Sequence, residues 1–151
     1  MEEEKEIVSV IDGLIQTLKD GQQGFKQATE GVKAPQLKSL FNECSRQRSQ
    51  FATELQNQAR SLGRSQPEES GSAAGTWHRT WINLKSAITS GDDHAILAEC
   101  ERGEDSAVEQ YEKAMNANLP APLHEIVSRQ YAEIKNAHDR IKNLRDTAKM
   151  S

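Results

Sequence analysis

The sequence predicts an all-α fold, a bundle of four long helices. Two observations carry this reading. Apolar residues recur at alternating steps of four and three along four separate stretches, the spacing of a helix that buries one stripe, and period-two alternation appears nowhere. Glycine and proline are sparse, and several of them fall where those stripes break off.

The first helix, about residues 3–32, carries the seam Ile7, Ile11, Leu14, Leu18, Gly21, Phe25, Ala28 and Val32. The second, about 35–62, opens at Pro35, which suits a first helical turn because its missing N–H would be unpaired there anyway. Its seam runs Leu37, Phe41, Cys44, Arg48, Phe51, Leu55, Gln58 and Leu62. The third long helix, about 93–118, follows Ser90-Gly91-Asp92-Asp93, which offers Ser90, Asp92 or Asp93 as a cap. It presents Leu97, Cys100, Glu104, Ala107, Tyr111, Ala114 and Asn118. Pro120 and Pro122 mark the next junction. The last helix, about 122–148, presents Leu123, Val127, Gln130, Ile134, Ala137, Ile141, Leu144 and Ala148.

The connection from 63 to 92 is far longer than bundle loops need. Its first part is rich in Ser, Gly and Glu, and its second part (about 76–89) carries a short amphipathic stripe of Trp77, Trp81, Leu84 and Ile88. A crossover returning along the bundle explains that length and makes the second and third long helices parallel, which is ferritin-like connectivity. The cysteines test it. Parallel helices put Cys44 and Cys100 in one layer, whereas up-and-down connectivity separates them.

The 151 residues fit one domain, 1–151, with 35% hydrophobic and 28% charged residues and a net charge of −4. No apolar run is long enough to span a membrane. The acidic opening Met1-Glu2-Glu3-Glu4-Lys5-Glu6 lacks the pattern of a secretory leader, and two cysteines make no disulfide scaffold, so a cytoplasmic location is expected. Mild acidity without a basic patch argues against a nucleic-acid partner.

Each seam has one exception close to its midpoint: Gly21, Arg48, Glu104 and, rather off-centre, Gln130. Helices of similar length packed side by side bring these positions to one level. The expected arrangement is a buried Arg48–Glu104 ion pair, with Gln130 completing its hydrogen bonds and Gly21 leaving room for the arginine. Burying either charge alone is very costly, and a guanidinium fork matches a carboxylate. A register shifted by one position instead places Arg48 at the rim, its stem on the surface and its head in water.

Glu104-x6-Tyr111 after a long crossover resembles the ferritin-like superfamily, in which a metal-binding glutamate precedes an inward tyrosine. More narrowly, Asp20-Gly21-Gln22-Gln23-Gly24-Phe25 and Glu101-Arg102-Gly103-Glu104-Asp105 are similar to a bacterial branch of ferritin-like four-helix bundles of unknown function. The resemblance implies a ferritin-like fold and raises the question of a dinuclear metal centre, which needs a glutamate on each of two helices and Glu-x-x-His on the other two. Matched to that pattern, the chain supplies Glu104 and His138. Leu18, Gln47, Gln50 and Lys135 stand at the remaining positions. An apolar residue, a lysine and the neighbouring Arg48 all oppose binding of two divalent cations. The expected function is therefore a non-catalytic ferritin-like bundle with no cofactor, acting through protein contacts and, as the resemblance implies, stress-related. The alternative is a residual metal-binding or oxidase-like protein using Glu104 and His138. A third reading is a carrier of a small ligand beside Gly21.

The remaining candidates are weaker. His94 and His124 begin helices whose starts lie at opposite ends of the bundle, so they are not expected to share a metal. His78 is expected at the surface, and His138, next to Ala137, within reach of a neighbouring helix. In the acidic run Glu101, Glu104, Asp105 and Glu109 only Glu104 keeps the seam, so the others are expected in solvent. Cys44 and Cys100 lie on seams, where cysteine is usually inert packing. Candidate homodimer surfaces are the helix faces and the Trp77/Trp81 segment, which can instead dock on its own bundle.

Overall fold

The computed structural model describes residues 2–61, 81 and 83–150. They form five helices: α1 (Glu2–Gly31), α2 (Pro35–Ser61), the short α3 (Leu84–Ser90), α4 (Asp93–Asn116) and α5 (Ala121–Met150). Trp77, His78 and the first half of the expected 76–89 helix lie outside the described residues. None of the helices searched among the described residues is long and apolar enough to cross a membrane.

Periodicity and capping account for these elements. α2 begins on its proline. α3 stops at Gly91, whose φ of 69° is a left-handed conformation that glycine adopts without a Cβ clash. One residue later Asp92 caps α4, its carboxylate accepting from the His94 N–H at 3.0 Å. Asp93, the other candidate cap, reaches across to the start of α2. Its two carboxylate oxygens accept the Lys33 and Ala34 N–H groups at 2.9 and 3.0 Å.

The core divides into two apolar clusters, one toward each end. The first joins Phe25 and Ala28 of α1, Phe41 and Cys44 of α2, Ile96 and Cys100 of α4, and Ile141 of α5. The second joins Ile11 and Leu14 of α1, Leu55 of α2, Tyr111 of α4, and Val127 of α5. The early turns of α2 thus share a cluster with the early turns of α4, and Cys44 and Cys100 sit in it together. α2 and α4 run parallel, each antiparallel to α1 and α5. Ala59, near the end of α2, belongs to the second cluster, and Trp81 belongs to the first. Near the end of α2 the stripe turns: Ala59 is buried and Gln58 only half-buried, so the seam does not pass through the glutamine.

Trp81 explains two glycines. It is buried and meets Phe25 in an edge-to-face arrangement (centroids 5.4 Å apart, 72° between planes). A Cβ on Gly24 of α1 would lie 2.5 Å from the indole Cδ2, and one on Gly103 of α4 would collide with Cζ2 of the same ring. The two glycines form a slot between α1 and α4 that only an absent side chain leaves open. Trp81 is therefore packed inside its own chain and forms no exposed patch.

Candidate functional site

Between the two clusters lies a polar layer. Arg48 on α2 and Glu104 on α4 each expose 1% of their side chain and meet in a two-pronged ion pair. Nη2 donates to Oε2 at 2.8 Å, and Nη1 donates to Oε1. Nε donates to the Gln47 side-chain oxygen at 3.3 Å, and the guanidinium carbon stands 5.4 Å from the centre of the Phe25 ring, within cation–π range. Burial works against the arginine's charge. The adjacent Glu104 charge and its hydrogen bonds outweigh that penalty, and the Arg48 pKa is raised above its ordinary value.

Two details of the expected layer need correcting. Gln130 does not complete the Arg48–Glu104 pair. Its oxygen accepts from the Tyr111 hydroxyl at 2.7 Å, and its nitrogen donates to Glu54 at 2.8 Å, forming a second network deeper in the other cluster. The off-centre position of Gln130 in its seam is the reason: it meets Tyr111, two turns past Glu104. Gly21 does pack against Arg48, but a Cβ there would lie 3.5 Å from Cγ, an ordinary contact. Space for the arginine does not require that glycine; Gly24 and Gly103 are the sterically demanding positions.

Asp20 was not singled out as a core residue by its sequence pattern. It exposes only 4% of its surface, and its Oδ2 has no hydrogen-bond partner among the described residues. Burial pushes its pKa from 3.8 up to about 7. With Gly21, Arg48, Glu104 and Trp81 it borders a cavity of about 10 Å³, roughly the volume of one water-sized sphere. That volume lends no support to the small-ligand carrier considered beside Gly21. Burial also raises the Cys44 thiol to about 12 and lifts that of Cys100 well above its usual range, so both stay protonated and unreactive.

The residues do not fit a two-metal centre. Leu18 is fully buried and apolar. Gln50 and Lys135 are exposed, the lysine paired with Asp139 at 3.5 Å, and Gln47 bonds to Arg48 and Glu133. The two matching ligands are not brought together. Both Glu104 oxygens are held by Arg48, while His138 faces Asp105, its Nε2 2.5 Å from Oδ1. His94 and His124 sit near opposite ends, beside Ile96 in the first cluster and Leu123 in the second.

A different cluster does converge. One donor atom each from Glu101, Asp105 and His138 lies within 4.8 Å of the others, three ligands and so short of a dinuclear set. Glu101 and Asp105, four apart on α4, share a face, and His138 approaches from α5. Glu101 is 7% exposed and paired with Arg145, which corrects the expectation that only Glu104 of the acidic run turns inward. Its signal was available in the sequence: Glu101 lies three residues before Glu104, on the flank of the buried stripe.

A family model described as a domain of unknown function, DUF2383, matches residues 6–117. The chain belongs to this family. The DUF2383 match takes in α1 to α4 of the described residues, and with them Arg48, Glu104 and the Gly24/Gly103 slot, but stops before Gln130 and His138. The fold is ferritin-like. It is similar to the solved structure of a mutant Dps1 of Mycobacterium smegmatis, with a TM-score of 0.76 over 94% of this chain and 96% of that one, at 15% identity. Identity that low carries the fold alone. No curated protein sequence matches the chain.

Proposed function

We propose that this DUF2383 protein is a non-catalytic ferritin-like bundle that acts through protein–protein contacts. In this reading a covalently attached guanidinium stands where the superfamily holds metal cations. One observation carries it: both oxygens of Glu104, the inward carboxylate matching a superfamily ligand, are engaged by Arg48. The pair is charge-balanced and buried, and a metal ion there would have to break it and leave the arginine unpaired. The alternative that uses Glu104 and His138 together loses support because those residues face different partners. A cytoplasmic, stress-related role and self-association belong to the same proposal.

The test is anaerobic titration of metal-stripped protein with Fe²⁺, followed by oxygen uptake on aeration. The expected result is no Glu104-dependent ion and no oxygen consumption above the protein-free rate. Two ions per chain, lost in Glu104→Gln, would overturn the reading. Light scattering at increasing concentration tests self-association, and a strictly monomeric protein at every concentration would remove the second copy as a partner.

A further inference from the structure

We propose that Glu101, Asp105 and His138 form a mononuclear binding site for a divalent transition-metal cation, clipping α4 to α5 outside the central layer. The donor set is one imidazole nitrogen and two carboxylate oxygens on facing helices, all within 4.8 Å of one another. Carboxylates and an imidazole without thiolate suit Zn²⁺, Mn²⁺, Fe²⁺ or Co²⁺ rather than Cu⁺.

The orientation of the histidine accords with this role. Its Nδ1 is held by Asp139 at 3.1 Å and its Nε2 is aimed at Asp105. A carboxylate on one ring nitrogen is the outer-shell arrangement that metal-binding histidines commonly have, and here the other nitrogen meets Asp105, a second ligand of the proposed site. The ring is already fixed, with 13% of its side chain exposed, whereas Asp105 is 60% exposed. An ion can therefore enter from solvent past Asp105, and water can complete its shell.

Charge and competition agree with a cation. Glu101, Asp105 and Asp139 bring three carboxylates, against Arg145 on Glu101 and Lys135 on Asp139. Arg145 need not be stranded when an ion takes Glu101, because it already donates to Asp146 through Nη2 at 2.9 Å and Nε at 3.3 Å. The ion takes the place of any proton on Nε2, so uptake from the imidazolium form releases one proton.

The test uses the full chain, stripped with chelator and titrated with Co²⁺, read by calorimetry and visible absorption. The expected result is one Co²⁺ per chain with ligand-field bands. Asp105→Asn, at an exposed side chain that leaves the fold intact, should lose those bands, and Asp139→Asn should weaken binding about ten- to a hundredfold. His138→Gln should abolish binding with an unchanged helical circular-dichroism signal. The double variant Arg48→Met/Glu104→Leu should keep the site, which separates this proposal from the reading of the central layer. No uptake up to about 1 mM Co²⁺, or uptake indifferent to Asp105→Asn and His138→Gln, overturns it.

Discussion

Glu104→Gln keeps the shape of the side chain and removes its charge, leaving the Arg48 guanidinium buried without a counter-ion. Each partner is only 1% exposed, so water cannot solvate the stranded charge. Two charge-assisted hydrogen bonds are affected, and one guanidinium N–H then faces an amide NH₂ instead of an oxygen. Removing one partner of a buried pair costs about 3–5 kcal/mol, against a total stability of roughly 5–15 kcal/mol for a domain. With a urea dependence of about 2 kcal/mol per molar, the unfolding midpoint should fall by about 2 M at unchanged slope. Arg48→Met/Glu104→Leu together should lie within about 2 kcal/mol of the parent, because apolar replacement of a whole buried pair is often neutral or stabilising. The assay is equilibrium urea unfolding followed by circular dichroism, run as a double-mutant cycle. A midpoint shift under about 0.5 M for Glu104→Gln, or a double variant as unstable as the sum of the singles, would refute the reasoning.

Three further outcomes are expected. Gly103→Ala forces a methyl into the Trp81 ring and should cost about 1–3 kcal/mol with a red-shifted tryptophan emission, whereas Gly21→Ala should be neutral or gain up to about 1 kcal/mol from helix propensity. Asp20 releases its proton near 3.8 when unfolded and near 7 when folded, so the native state binds more protons between those values. Stability should therefore fall as pH rises from 3.8 to about 7, by at most about 4 kcal/mol for this group, and thermal melts of Asp20→Asn should lack that component. Tyr111→Phe leaves the Gln130 oxygen without its 2.7 Å donor and should cost about 1–3 kcal/mol in urea unfolding.

The helices were legible because a buried stripe imposes its period directly on the sequence, and the interrupting residues on those stripes led to Arg48 and Glu104. The parallel course of α2 and α4 was legible from the length of their connection alone. Three features of the sites were hidden for physical reasons. Gln130 has hydrogen-bonding reach in several directions, and seam position alone does not choose Tyr111 and Glu54 over Arg48. Asp20 lies on the flank of its stripe, where burial depends on what the neighbouring elements bring, and among the described residues they bring no partner for its Oδ2. The need for Gly24 and Gly103 exists only once Trp81 is placed, a residue distant in sequence from Gly24 and separated from Gly103 by α3.

The parallel course of α2 and α4, which meet through the Arg48–Glu104 pair, also shapes how the chain reaches its native state. Arg48 meets Glu104 across 56 positions, and the Asp93 carboxylate meets the Lys33 amide across 60. Neither contact can close until a long stretch of polymer has folded back on itself, and that entropy is lost before any contact is gained. An up-and-down bundle of the same helices would assemble through nearest neighbours, and high mean sequence separation slows folding. Helical turns form within about a microsecond, so closing the 56-position span between Arg48 and Glu104 is expected to be slower than forming the helices that carry them.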